Sequence, residues 1–435
     1  MEVQILSRRS IKPSTPTPNH LKTHKLSFFD QLAPPAHVPL LFFYPSKGTS
    51  TSNEKLQKLQ ESLSDTLTLF CPQSGRFIKE DLIVDCSDQG VDFFEAKVNL
   101  TLNELLSLRH RKPELLIDFV PRDVGHVFLP TTPMVAIQAT VFECGGLVIC
   151  LRFSHVVADG FTGGMFIRAW ATASRLGIGK VVRPCFDLFS LFPSRDVSGI
   201  VDPPPLNFGG GDKVVTRVFL FDAAKIEELK AEVCGSGGER KPTRVEVVIS
   251  TLWKALILAS RERNEGKLRN SVMELPINLR GRTAISTPEN LFGNFYTLTP
   301  IKFAPEQNNT TEPNLNHMQG LARESIRSSL STFAAISHDD QVFSALVNLL
   351  NQVRKAASDE DVDAHRFTTF CGLRLYETDF GWGEPCLVTS AWLPLEMVVL
   401  VDTKCGAGVE AWVALNEASM LELVKDPDLS GLISS

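Results

Sequence analysis

The sequence predicts a two-domain α/β protein, and three observations carry that expectation. The chain has 435 residues, more than one hydrophobic core usually organises. Strand-like runs and helical patterns alternate loosely in both halves. Between them, periodicity is lost from Pro184 to Asp212, where "DPPPLNFGGGD" joins a proline run to a glycine run. The expected division is a first domain over 1–195, a crossover linker over 196–213 and a second domain over 214–435.

The elements follow in order. "NEKLQKLQESLSDTLTLF" sets Leu56, Leu59, Leu63, Leu67 and Phe70 at helical spacing, with Asn53 as the expected N-cap. "MVAIQATVFECGG" and "LVICLRFS" read as two β-runs around a turn at Gly145-Gly146. Directly after the second run stands "FSHVVADGFTGG", and then a helical pattern through Met165, Ile167, Trp170, Ala173 and Leu176. His155 is thus expected where a strand ends and a helix begins, a rigid place for a working side chain.

Beyond the linker, "VVTRVFLF" predicts a strand and Asp222 the start of a helix. Thr243 and Glu246 form a capping box ahead of Ile249, Leu252, Trp253 and Leu256. "QVFSALVNLLNQV" predicts another helix, and "LEMVVLVD" and "GVEAWVAL" predict strands.

Composition narrows the function. Hydrophobic residues make up 43% and charged residues 22%, as in ordinary globular proteins. A net charge of −6 argues against nucleic-acid binding, which usually leaves a basic footprint. The start lacks the apolar core of a secretory signal, and "SAWLPLEMVVLV" is too short to span a bilayer. Nine cysteines without CxxC spacing read as scattered reduced thiols, so a cytosolic protein is expected.

His155 and Asp159 invite three readings: a base with its orienting carboxylate, half a metal site, or a polar loop around a core histidine. The spacing alone is weak, and Gly160 directly after it sharpens it. No HExxH, CxxC or acidic ligand cluster supports a metal. No G-x-S-x-G, P-loop or G-x-G-x-x-G is present, which removes the serine hydrolase, P-loop and dinucleotide-binding readings as leading ideas. In "YETDFGWGEP" two glycines around Trp382 imply a tight backbone path beside a buried indole. "ELPINLRGR" places Arg280 and Arg282 after an apolar run, suited to a carboxylate or phosphate, or simply exposed.

Taken together, H-x-x-x-D-G, N-L-R-x-R and D-F-G-W-G resemble the BAHD acyltransferases of plants. "PTPNHLKTHKLSFFDQ", "VDCSDQGVDFFEAKV", "FECGGLVICLRFSHVVADG", "TRVEVVISTLWKA" and "LFGN" extend the resemblance over essentially the whole chain, in the family's order. Within the family it is nearest to the branch of alkaloid acetyltransferases typified by vinorine synthase.

The resemblance implies two chloramphenicol-acetyltransferase-like domains, each a mixed β-sheet flanked by helices, with an active-site channel between them. It implies transfer of an acyl group, first of all acetyl, from acyl-CoA to a hydroxyl of a specialised metabolite such as an alkaloid or terpenoid. His155 would be the general base for direct transfer. Asp159 would point away and pair with Arg280, bracing the loop, while Gly160 lets the backbone turn. Asp379, Phe380, Gly381 and Gly383 would have structural roles. Thr368 and Trp382 are candidate oxyanion donors, and Ser250 a candidate for the coenzyme channel.

No tightly bound cofactor and no metal are expected; acyl-CoA and a small-molecule acceptor are the partners of a monomer, with no nucleic acid or membrane. Phe370 and Arg374 depart from the family's usual pattern and bear on pocket shape. A longer or aromatic acyl-CoA, an amine acceptor, or a non-catalytic binding relative are the alternatives.

Overall fold

A computed structural model of the chain describes residues 1–47, 50–122, 131–200, 213–233, 241–305, 312–391 and 395–433. The contacts divide it into two units, each built from three segments. The first holds Met1–Val201, Thr287–Phe295 and Gly372–Trp392; the second holds Asp202–Ser286, Tyr296–Cys371 and Leu393–Ser435. The first break, between Val201 and Asp202, falls within the expected linker over 196–213, most of which lies outside the described residues. The expected division differs in that two pieces of the later chain belong to the first unit, the D-F-G-W-G motif among them.

Along the chain come β1 (Val3–Ile11), β2 (Thr23–Lys25), α1 (Phe28–Gln31), β3 (His37–Tyr44) and α2 (Ser52–Leu69). Then follow β4 (Arg76–Ile78), β5 (Ile83–Asp85), β6 (Val91–Val98), α3 (Leu102–Leu108), β7 (Val135–Phe142) and β8 (Leu147–Ser154). After these come α4 (Gly160–Leu176), α5 (Leu188–Leu191), β9 (Val214–Phe221), α6 (Ala223–Val233) and α7 (Arg244–Arg263). Next are β10 (Asn270–Asn278), β11 (Tyr296–Phe303), α8 (Leu315–Ala335), α9 (Asp339–Ala357) and β12 (Val362–Thr369). The chain closes with β13 (Leu387–Thr389), β14 (Met397–Asp402), β15 (Val409–Asn416), α10 (Glu417–Leu423) and α11 (Pro427–Ser430).

The first unit carries a six-stranded sheet ordered β1-β6-β7-β8-β3-β13 and a small sheet β2-β5-β4. In the large sheet only β6 and β7 run parallel; the rest is antiparallel. Its middle strands are continuous apolar runs, as burial on both faces requires: "HVPLLFFY" of β3 has seven buried residues out of eight. β13 completes the sheet by pairing Leu387, Val388 and Thr389 with Phe43, Phe42 and Leu41.

The second unit carries a sheet ordered β11-β10-β12-β14-β15-β9, with β10, β12 and β14 parallel. α7 lies over it as the centre of a core that includes Val248, Leu252, Trp253, Met273, Phe367 and Val413. The Trp253 indole donates to Ser271 Oγ at 2.9 Å, so this large ring is buried without orphaning its N–H.

Helix starts follow local chemistry. α7 opens on the anticipated Thr243–Glu246 capping box. α2 opens on a second box, Thr51 with Glu54, so the cap is Thr51, and Asn53 falls inside the first turn. The reciprocal pair satisfies two orphan N–H groups, which Asn53 alone could not do. α2 buries Leu59, Leu63 and Leu67 completely, each stabilising by about 1.5–3 kcal/mol. It packs these against α4, whose Trp170 N–H donates to Leu59 O at 3.1 Å.

Candidate active site

β8 delivers His155. Its last residue Ser154 donates N–H to Met134 O at 2.7 Å, and the His155 N–H donates to Ala36 O at 2.8 Å. The backbone of His155 is therefore tied to the start of β3 just where the sheet ends. Four residues on, Asp159 caps α4: its Oδ1 accepts from Thr162 N at 2.8 Å. Its Oδ2 accepts the N–H of Phe295 at 3.0 Å. Gly160 is the first helical residue and keeps a negative φ, so the turn expected of it is made without left-handed backbone.

The partner of the imidazole comes from a segment far along the chain. Gly293 sits at φ +121°, and a Cβ there would lie 2.4 Å from Leu188 Cδ2, so the position demands glycine. Thr162 clamps the same residue: its hydroxyl donates to Gly293 O at 2.8 Å and accepts from Gly293 N at 3.2 Å. This fixes the next residue, Asn294, which is fully buried. Asn294 Oδ1 meets His155 Nδ1 at 3.0 Å.

The Asn294 amide group can face only one way. Its Nδ2 donates to His155 O at 2.8 Å and to Asp30 Oδ1 at 3.0 Å, and both of these are acceptors. Oδ1 therefore faces the ring, and Nδ1 must carry the proton. Nε2 is then the nitrogen with the lone pair, the tautomer a general base requires. Burial pushes the His155 pKa below its ordinary value, against the hydrogen bond with Asn294 and the nearby Asp159 charge, so the ring is neutral at pH 7.

The D-F-G-W-G segment builds a different feature. Asp379 Oδ1 accepts from the N–H groups of Gly381 and Gly383, both at 2.8 Å, and its Oδ2 pairs with Arg175 at 3.1 Å. Gly381 and Gly383 have φ of +110° and +102°. Phe380 is fully buried between Trp170, Tyr44 and Trp382, and its carbonyl accepts from Ser174 Oγ at 2.8 Å. Ser174 lies roughly 20 Å along α4 from Gly160. Trp382, a candidate oxyanion donor on sequence, thus packs at the far end of the helix from His155. Its N–H is buried with no hydrogen-bond partner among the described residues. This is a packing ring.

The other candidates belong to the second unit. Arg280 follows β10, where its backbone N–H and one guanidinium nitrogen both donate to Asn278 Oδ1, at 3.1 and 3.2 Å. Thr368 lies half-buried on β12, paired with Val399 of β14. Ser250 is buried on α7 and donates its hydroxyl to Glu246 O of its own helix at 2.8 Å. Of the departures from the family pattern, Phe370 is buried, and Arg374 adopts a left-handed backbone (φ +57°) with an ion pair to Glu377 at 2.6 Å.

The structure thus joins His155, Asp159 and Gly160 to two residues not singled out from sequence, Asn294 and Asp30. Both stand in segments noted only for their resemblance, "LFGN" and "SFFDQ". The one local signal was the S-x-x-D pattern of Ser27 and Asp30, which does cap α1.

Comparison with known proteins agrees with the fold. A family model described as "Transferase family" matches residues 1–430. An acetyl-CoA-benzylalcohol acetyltransferase of Clarkia breweri is 33% identical, over 100% of both chains. A limonoid 21-O-acetyltransferase of Melia azedarach is 34% identical, over 98% of this chain and 97% of that one. The crystal structure of vinorine synthase superposes with a TM-score of 0.81 at 29% identity, covering 100% of this chain and 99% of that one.

Proposed function

This chain belongs to the BAHD Transferase family of acyl-CoA-dependent acyltransferases, and we propose that it moves an acetyl group from acetyl-CoA to a hydroxyl of a terpenoid or alkaloid. Its relatives named for limonoid and benzyl alcohol acetylation support the acetyl donor and the alcohol acceptor. The observation that carries the mechanism is the hydrogen bond from His155 Nδ1–H to Asn294 Oδ1, which leaves the lone pair on Nε2.

Nε2 takes the proton of the acceptor hydroxyl as its oxygen forms a bond to the thioester carbonyl carbon. The tetrahedral intermediate then collapses, the C–S bond breaks, and the imidazolium returns its proton to the thiolate. The products are an ester and free coenzyme A. Because the ring is neutral at pH 7, the base is present without prior deprotonation. No helix among the described residues is long and apolar enough to cross a membrane, and the described cysteines are free thiols.

His155→Ala tests the assignment. Release of free thiol from acetyl-CoA with an alcohol acceptor should fall about 10²–10⁴-fold. Undiminished turnover in this variant would sink the proposed base. Thiol release that needs no acceptor would mark a thioester hydrolase instead.

A further inference from the structure

Asp30 lies behind the Asn294 amide and is 2% exposed. Its Oδ1 accepts from Asn294 N at 2.9 Å and from Asn294 Nδ2 at 3.0 Å. Its Oδ2 accepts from Ser27 N at 3.0 Å and from Ser27 Oγ at 2.7 Å. The Ser27 hydroxyl also accepts from Asp30 N. Three of the four donors are N–H groups that cannot accept, so only the Ser27 side could take a hydrogen from the carboxyl, and its hydroxyl already accepts one bond there. Burial pushes the Asp30 pKa up, and all four of these bonds oppose it. Among the described residues no cation pairs with Asp30. A buried carboxylate held by neutral donors alone is costly to keep, and local folding does not need it, since Ser27 could cap α1 without a charge beneath it.

We propose that Asp30 is a positioning residue for the transfer, acting on His155 through the side-chain amide of Asn294. Its negative charge on Nδ2–H draws electron density within the amide toward Oδ1. That strengthens the bond from His155 Nδ1–H and stabilises the imidazolium that forms when the acceptor proton arrives. No proton moves along the chain Asp30–Asn294–His155. The role a triad aspartate plays by direct contact is here carried by a carboxylate one amide away. Asp159 acts on His155 through its charge, while its two oxygens accept from Thr162 N and Phe295 N. His37, on the strand beside Ser154, has its pKa lowered to about 4 by burial and contributes no charge at neutral pH.

The inference rests on His155 being the base, and its test is read on the imidazole itself. Asp30→Asn removes the charge, while its amide oxygen can still accept from Asn294 and His155 O still holds Asn294 Nδ2. Nitrogen NMR of the labelled free enzyme should then show the His155 pKa moved down with Nδ1 still protonated, with kcat down by about tenfold or more and KM little changed. A folded Asp30→Asn enzyme with wild-type His155 pKa and kcat overturns the relay and leaves the base assignment standing. If Asp30→Asn does not fold, Asp30→Ser decides. Under the relay the His155 pKa and the acidic limb of kcat/KM both move down with Asn294 in place; if neither moves, the relay fails. The exchange Asp30→Asn with Asn294→Asp puts the carboxylate directly on Nδ1, so the proposal expects the pKa raised. An unchanged or lower pKa there also counts against it.

Discussion

His155 is a base whose strength is set by opposing effects. Burial lowers its pKa, while Asn294 and the charge on Asp159 raise it, and burial wins. Among the described residues, Asp159 of the same loop carries the charge that acts on it, Asp30 lies behind Asn294, and His37 stands on the neighbouring strand. The consequence is a base still available in mildly acidic solution. The acidic limb of kcat/KM, which reports the free enzyme, is expected below the ordinary imidazole value of about 6.5. A limb above that value would show that the carboxylates outweigh burial. At this scale the sequence was half readable. His155 stood at a strand end in a recognisable spacing, but the residue that fixes its tautomer is 139 positions away. Nothing local marks Asn294: it lies in no capping box and no apolar period, and only the fold brings it to the ring.

At the scale of elements, α4 links two features that the sequence presented as separate motifs. Its first turn is held by Asp159 and Thr162, and its last turns by Ser174 and Arg175 against the Asp379 turn. Asp159 satisfies two N–H groups at once, those of Thr162 and Phe295. Asp159→Ala removes a helix cap worth about 1 kcal/mol and orphans the Phe295 N–H at about 1–3 kcal/mol. The expected result is a loss of roughly 2–4 kcal/mol in urea unfolding, together with lower activity. Asp159→Asn retains one acceptor and should recover part of that stability. Wild-type stability with a selective loss of kcat in Asp159→Ala would assign this carboxylate to the chemistry instead. Helices and central strands were legible because capping boxes and apolar runs are local. β13 was not, since three residues, Leu387–Thr389, become a strand only by meeting the open edge of β3.

At the scale of the molecule, the same burial that makes His155 neutral recurs at histidines with no part in the chemistry. His24 lies edge-on to Phe186 and Phe292, with ring centroids 5.7 Å away in both cases, and its pKa is lowered to about 4 by burial. His37 and His365 are lowered to about 4 by the same cause. The unfolded chain binds a proton at each near pH 6.5, whereas the folded chain does so only near pH 4. Between these values the unfolded state holds more protons, so stability is present above about pH 6.5 and drains away as pH falls toward 4. A single fully buried histidine with these two pKa values accounts for about 2 kcal/mol of loss between about pH 7 and pH 5. His24→Phe keeps an aromatic ring against Phe186 and Phe292 and removes the titration. Urea midpoints at about pH 7 and pH 5 should show the variant losing about 2 kcal/mol less than the wild type. An equal loss in both proteins would mean that His24 is protonated in the fold, and that the aromatic pocket does not exclude the charge.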